Sequence, residues 1–405
     1  MDILEKNTKK LLKQCDDGLK GKFFLYPDTI TSWLTNRCNL YCIMCPENYI
    51  RYNKKPINVS FKEFTKLIPK RLLIKKIFRH PSDKFFSTAI HFNFMSGETL
   101  LNTETYDIVK FIKKQLPAST ISILSNGTIP PRKGKEDIVK YIDILSFSID
   151  GCTKDTFEMI RTPANFEHVI KNLKYWSEMR NKYNSKIVFH FVVTLSTMNF
   201  HELPGLIRLA NQVGGYDSVY VQPLITNSPE ISHLEPKLLI HMDKEKGHQF
   251  LKEAFEVSKE TGIRIDLGES IKQMFGYNQS NQELINSTGN LREFDYTLNR
   301  YCQKVSNLEM GFDEKNNLSF VCCFMMNPSI IERYKIPRKG SPFEIYNSIG
   351  WWKLRKDMLE GKLLDECKHC VSGNSDYYRL SEINRASIRK RLFRKLKRNW
   401  IKFTK

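Results

Sequence analysis

From about Thr29 the chain alternates short apolar, strand-like runs with longer stretches of helical period. The strand-like runs are TITSWLT (29–35), AIHFNFM (89–95), TISILS (120–125), DILSFSI (143–149), KIVFHFVVTL (186–195) and SVYVQPL (218–224). Between them lie FKEFTKLIPKRLL (61–73), YDIVKFIKKQL (106–116), FEHVIKNLKYWSEMR (166–180) and LPGLIRLANQV (203–213). Strand and helix in repeated alternation predict βα units and a mainly parallel sheet. Six units in series predict an α/β fold, a partial (βα)6 parallel barrel. Past residue 225 the pattern changes. Residues 226–300 are polar and rich in Asn, Glu and Lys, and read as helices and loops that complete the core. The expected organisation is an N-terminal extension (1–28), a core (29–225), a connecting segment (226–300), a small cysteine-rich α+β domain (301–380) and a basic tail (381–405).

Each of the first four strands is followed at once by a polar or cysteine-bearing group: NRCNLYCIMC, SGETLL, NGT and DG in turn. In parallel barrels the reactive groups lie where strands end and loops begin. The placement of these four segments therefore predicts one site at that end of the sheet.

At 405 residues the chain has room for one large α/β domain and a smaller appendage. No apolar run reaches the length of a spanning helix, and the charged start MDILEKNTKKLLKQCDDG lacks the apolar stretch of a secretory signal. These features predict a cytoplasmic protein. In that compartment the 10 cysteines do not read as a disulfide framework. Their clustering points to metal or iron–sulfur ligation, with Cys15 and Cys152 standing apart as ordinary thiols.

Cys38-x-x-x-Cys42-x-x-Cys45 supplies three thiolates, the usual ligands of iron–sulfur clusters, from one short loop. A [4Fe–4S] cube held by three cysteines keeps one iron for another molecule. A structural zinc site is the competing reading. Zinc normally takes four N/S ligands, so this loop would borrow a fourth from elsewhere.

The cysteine spacing after the first strand resembles the radical S-adenosylmethionine (SAM) superfamily signature, and further pieces follow in order. Ser96-Gly97-Glu98-Thr99-Leu100 resembles the family's GGEP segment, which meets the amino group of SAM. Ser125-Asn126-Gly127-Thr128 resembles the segment after the third strand. Ser148-Ile149-Asp150-Gly151 with Arg161 resembles the fourth-strand motif, whose Ser and Arg help hold ribose and carboxylate. Leu195 stands where an apolar side chain touches adenine, and Met44 where backbone groups meet it. The sequence departs from the family pattern at Ser96, Thr99 and Met44, and no departure removes a cluster ligand. Taken singly, Asn126-Gly127 and Asp150-Gly151 are also turn dipeptides, Glu98 a loop carboxylate and Arg161 a partner for a surface acid. Their joint arrival after successive strands favours a site.

Cys302, the Cys322–Cys323 pair, and Cys367-x-x-Cys370 form a second set. With NNLSFVCCF and CKHC they resemble the SPASM/twitch extension of radical SAM enzymes. The resemblance implies one auxiliary [4Fe–4S] cluster on Cys302, Cys322, Cys367 and Cys370. Cys323 competes with Cys322, because neighbours on a strand point to opposite faces. Zinc is again the alternative. The implied activity is reductive cleavage of SAM to a 5′-deoxyadenosyl radical that abstracts a substrate hydrogen, with an electron donor such as flavodoxin or ferredoxin. Oxidative modification of a peptide or protein side chain is the leading outcome, and oxidation or epimerisation of a sugar or cyclitol the second. A zinc-stabilised basic binding protein without catalysis is the reading from another class.

The net charge of +20 changes the picture only at the end of the chain. Residues 385–405 carry ten Lys and Arg and no acid. Ile388, Leu392, Leu396, Trp400 and Phe403 fall at helical spacing among them. Such a tail either lies on an anionic membrane surface or packs its apolar stripe on its own protein. No recognised nucleic-acid module accompanies the charge, so no specific nucleic-acid partner is expected.

Overall fold

The computed structural model describes residues 12–22, 29–45, 56–67, 90–95, 97–226, 229–276, 308–312, 318–319, 332–337, 342–360 and 362. All six expected strands form: β1 (Thr29–Ser32), β2 (His91–Phe94), β3 (Thr120–Ser125), β4 (Ile144–Ser148), β5 (Val188–Leu195) and β6 (Ser218–Pro223). They lie side by side in chain order, each parallel to the next. The sheet runs further than six strands. β7 (Arg264–Leu267) adds parallel to β6, and β8 (Leu308–Phe312) adds parallel to β1 at the other edge. The short β9 (Leu318–Ser319) turns back antiparallel on β8. The order β7-β6-β5-β4-β3-β2-β1-β8-β9 leaves the sheet open, an incomplete barrel.

The segment 226–300, expected to mix helices with loops, thus also supplies a strand. RIDL is only four residues long, too short to stand out in a polar stretch. Likewise β8 carries residues of the expected cysteine-rich region into the core sheet.

Side-chain alternation explains the barrel-like form. Along β5 the burial alternates strictly, with Phe189, Phe191, Val193 and Leu195 inside and Val188, His190, Val192 and Thr194 half-buried. A parallel sheet covered on both faces reads as a continuous apolar run. Alternation here means helices on one face only. On that face α1 (Phe61–Leu67), α2 (Thr105–Gln115), α3 (Lys154–Ile160), α4 (Phe166–Lys182), α5 (Leu203–Val213), α6 (Lys244–Thr261) and α7 (Glu269–Phe275) follow one another along the chain. α4 buries Val169, Leu173 and Trp176 at helical spacing, and Trp176 meets Phe147 of β4. α3, absent from the helices read in the sequence, starts at an N-cap whose Thr153 side chain accepts from the Thr156 N–H. Of the expected helix 61–73, α1 supplies 61–67, and 68–73 lie outside the described residues.

After α8 (Pro342–Tyr346), α9 (Ile349–Leu359) packs against the helical segment at 12–19, joined by the Lys356–Asp16 ion pair at 2.7 Å. Cys15 is buried there, away from the ends of the strands.

Candidate functional site

The loop leaving β1 carries Cys38, Cys42 and Cys45, and it is fastened on three sides. Asn102, buried, donates both amide hydrogens, to the carbonyls of Leu34 at 2.8 Å and Val59 at 2.9 Å. Gly97 presses on the loop from the end of β2. Its φ of +59° suits glycine, and a Cβ there would stand 2.6 Å from the Arg37 carbonyl and 2.7 Å from that of Thr35. The Glu98 N–H donates to the same Arg37 carbonyl at 2.7 Å. On the third side the Tyr41 N–H donates to the Thr162 carbonyl at 2.6 Å, and the Ile43 N–H to the Ile160 carbonyl at 3.0 Å. These two bonds lay residues 41–43 antiparallel to 160–162 and set Cys42 opposite Arg161.

Donors from the end of β3 and the end of α3 face the sulfurs. Asn126, just past β3, directs Nδ2 at Cys38 Sγ (3.7 Å) and at Asn39 Oδ1 (2.9 Å). Arg161, at the end of α3, directs Nη1 at Cys42 Sγ (3.8 Å). Its Nη2 pairs with Asp150 Oδ2 at 2.6 Å, and Asp150 Oδ1 accepts from the Thr194 N–H at 2.6 Å. Asp150 is wholly buried and Arg161 nearly so. The partner of Arg161 is therefore Asp150, a buried acid of the same motif, rather than a surface one. Burial pushes the Cys42 thiol up to about 11, against the pull of Arg161, and the charges of Cys45 and Cys38 push it the same way as burial. Among the described residues, no three Cys, His, Asp or Glu side chains are gathered into one coordination shell.

Glu98 is fully buried and spent on protein contacts. Oε1 accepts from the Leu100 N–H at 3.1 Å and from Ser125 Oγ at 3.0 Å, and Oε2 from the Asn126 N–H at 2.6 Å. Burial raises its carboxyl to about 7 in spite of these donors. Its carboxylate ties the end of β2 to the end of β3, whereas the family resemblance has that segment meeting an amino group. Ser125 also accepts from the Gly127 N–H. Thr99 is buried, its carbonyl accepting from Thr105 Oγ1 and its own Oγ1 without a partner among the described residues. Ser148 closes β4 and Leu195 closes β5, both buried. Met44 packs between the main core and the apolar group Leu224, Ile231 and Leu234. Ser96, Cys302, Cys322, Cys323, Cys367, Cys370 and the tail 381–405 lie outside the described residues.

Sequence reading missed the residues that lock the loops together. Asn39 donates to Thr128 Oγ1 at 2.9 Å and accepts from Asn126, joining the first and third loops. Asn199 donates to the carbonyls of Asp150 at 2.9 Å and Thr194 at 3.1 Å, joining the fourth and fifth. The one signal available for either was an Asn in a loop just after a strand-like run.

The donor set suits a thiolate-bound iron–sulfur group: three sulfurs on one loop, with N–H donors supplied to two of them from the end of β3 and the end of α3. Residues 34–210 match the family model of the Radical SAM superfamily. The GTP 3′,8-cyclase of Limosilactobacillus fermentum is 26% identical over 157 residues, 38% of this chain and 43% of that protein. The S-adenosylmethionine-dependent nucleotide dehydratase of Siniperca chuatsi is 25% identical over 192 residues, 46% of this chain and 48% of that protein. The chain thus spans less than half the length of these curated relatives. Among solved structures, Streptococcus suis SuiB bound to precursor peptide SuiA superposes with a TM-score of 0.54 at 13% identity, covering 86% of this chain and 70% of that one. Native anSMEcpe with bound AdoMet superposes with a TM-score of 0.51 at 14% identity, covering 85% and 87%. Both are likenesses of fold.

Proposed function

We propose, from the radical SAM superfamily domain at residues 34–210, that this chain is an enzyme that cleaves SAM reductively and abstracts a hydrogen atom from its substrate. The observation that carries the reading is the cysteine loop at the C-terminal end of the parallel sheet, with Asn126 and Arg161 aimed at its sulfurs. Cys38, Cys42 and Cys45 would hold a [4Fe–4S] cluster, which when bound supplies the electron that splits SAM into methionine and a 5′-deoxyadenosyl radical. The chain's own part is to bind, orient and exclude water. Gly97, having no side chain, permits close backbone approach beside the loop. By the family resemblance, Thr99, Ser125, Ser148 and Asp150 would contact SAM, with Leu195 and Met44 on its apolar side; Ser96, given the same role by the sequence, lies outside the described residues. Cys302, Cys322 or Cys323, Cys367 and Cys370 would hold an auxiliary cluster.

The leading substrate class is a peptide or protein side chain, modified oxidatively, and the second is a sugar or cyclitol. The open face of the sheet supports a neutral polar substrate of either kind. Asn93, Ser122, Ser146, Thr194 and Gln222 lie on it. Among its described strand positions the single Lys or Arg is Arg264, which is held by Asp266 at 2.9–3.0 Å. A nucleoside triphosphate, as the names of the curated relatives invoke, calls for several Arg or Lys donors.

The test is anaerobic reconstitution followed by iron and sulfide analysis and chromatography of SAM products under reductant. The expected result is bound iron and sulfide with release of 5′-deoxyadenosine, abolished by Cys42→Ala. Zinc without iron, or no 5′-deoxyadenosine, overturns the reading.

A further inference from the structure

The cysteine loop faces solvent as well as the site. At the seam where residues 41–43 lie antiparallel to 160–162, Tyr41 is 52% exposed. Met159, the residue before Ile160 on α3, is 50% exposed. Single exposed apolar side chains are ordinary on a protein surface, but two at one seam make a patch. Tyr41 is also the chain neighbour of Cys42, so a body resting on its ring comes close to a ligand sulfur.

Cations stand around this patch. Arg37 directly precedes Cys38 and is exposed. On the side of the third loop, Thr128 bonds Asn39, and Asn172 of α4 donates to the Gly127 and Thr128 carbonyls at 3.1 and 2.9 Å. Those bonds bring the exposed Lys171 beside that loop. Arg132 and Lys133 follow on the same loop, both exposed, with Arg132 Nη2 donating to the Leu101 carbonyl at 3.3 Å. None of the four is in an ion pair among the described residues. The acids around them are mostly engaged. Glu158 accepts from the Phe166 N–H at 3.0 Å, Glu167 pairs with Lys154 at 3.7 Å, and Asp107 with Lys135 at 2.9 Å. Asp155, one turn before Met159 on α3, is exposed and is the acid left over against four cations.

We infer that this outer surface of the cysteine loop docks an acidic one-electron carrier protein, with Tyr41 and Met159 at the centre of the contact and Arg37, Lys171, Arg132 and Lys133 around it. The inference rests on the function proposed above. Tyr, Met and Arg are enriched in protein interfaces, and electron-transfer encounters are small contacts steered by charge. The carrier gives up one electron and is oxidised; the cluster takes it and is reduced, with no bond made or broken. α3 belongs to the helical cover, so docking here leaves the open face of the sheet to the substrate.

The probe is an acidic flavodoxin. Calorimetric titration of oxidised flavodoxin into the reconstituted full chain, at low and high salt, measures docking. Stopped-flow oxidation of reduced flavodoxin, with dithionite as the small-molecule control, measures electron delivery. R37E, M159E and Y41S are compared with the wild type. Expected is binding that weakens as salt rises. R37E and M159E should bind about tenfold more weakly or worse, with slower flavodoxin oxidation to match. Cluster content and reduction by dithionite should stay at the wild-type level. R37E and Y41S carry the same test if M159E disturbs α3. A flavodoxin that does not bind the wild type, or that serves all three variants equally, overturns the inference. Dithionite reduction lost in step with flavodoxin reduction also overturns it, since the patch then belongs to the chain's own packing. A wild type that takes up no iron, or releases no 5′-deoxyadenosine with dithionite, overturns instead the function on which the inference rests.

Discussion

Glu98 shows what a single residue costs and does in this site. Its carboxylate lies fully buried among the Leu100 and Asn126 N–H groups and the Ser125 hydroxyl, and burial lifts its pKa from 4.5 to about 7. A carboxyl raised in the folded state binds its proton more tightly there than in the unfolded chain. Its favourable contribution is full below about pH 4.5 and is lost as pH rises through 7. The loss amounts to roughly 3 kcal/mol across that window. Urea unfolding of the apo protein at pH 5 and pH 8 should show the decline, and Glu98→Gln, which has no charge to bury, should flatten it. An equally steep profile in the variant would assign the pH dependence to other groups. At this scale the sequence singled out Glu98, Asp150 and Arg161, and the structure buries all three. Their partners were hidden, because a hydrogen bond spanning 28 positions, as from Asn126 to Glu98, leaves no local pattern.

At the scale of elements, the site is a set of loops knotted by asparagines. Asn102 carries the largest share for the cysteine loop, since it satisfies two carbonyls 68 and 43 positions away and also accepts from the Glu104 N–H. Asn102→Ala removes the side-chain donor from the Val59 carbonyl and from the Leu34 carbonyl, the latter keeping the Val59 N–H at 2.9 Å, and takes the acceptor from the Glu104 N–H. The expected cost is about 1–3 kcal/mol for each unsatisfied group. The measurement is a fall in the urea midpoint with the slope unchanged, accompanied by faster alkylation of Cys38 in the apo protein. Alkylation at the wild-type rate would show that the loop keeps its place without Asn102. The strands themselves were legible because β-branched and aromatic residues cluster in KIVFHFVVTL and its neighbours, with helical periods between them. β7 and α3 were not legible. Each is short, and each is set by what it docks on: β7 by pairing with β6, α3 by its Thr153 cap and the packing of Phe157 and Ile160.

For the molecule as a whole, one-sided helix cover is the organising fact. It buries the apolar face of β2 to β6 and leaves the opposite face polar and half-open, with every loop of the site at the same end. The likeness of fold to SuiB and anSMEcpe extends over most of the chain, well past the 34–210 match. Two segments far apart in the chain also meet: the segment at 12–19 docks on α9, where Gly18 leaves the space that the Trp352 ring fills. That closure brings together residues 340 positions apart, a separation at which hydrophobic pattern carries no information. No described helix is long and apolar enough to cross a membrane. The account turns on whether the loop of Cys38, Cys42 and Cys45 holds a cluster with one iron open to SAM. EPR of the reduced, reconstituted protein before and after SAM addition reads that directly. The account predicts a [4Fe–4S] signal that changes on SAM addition and loses its SAM response in Cys38→Ala, Cys42→Ala and Cys45→Ala. A reduced protein with no iron–sulfur signal, or one whose signal SAM leaves unaltered, contradicts it.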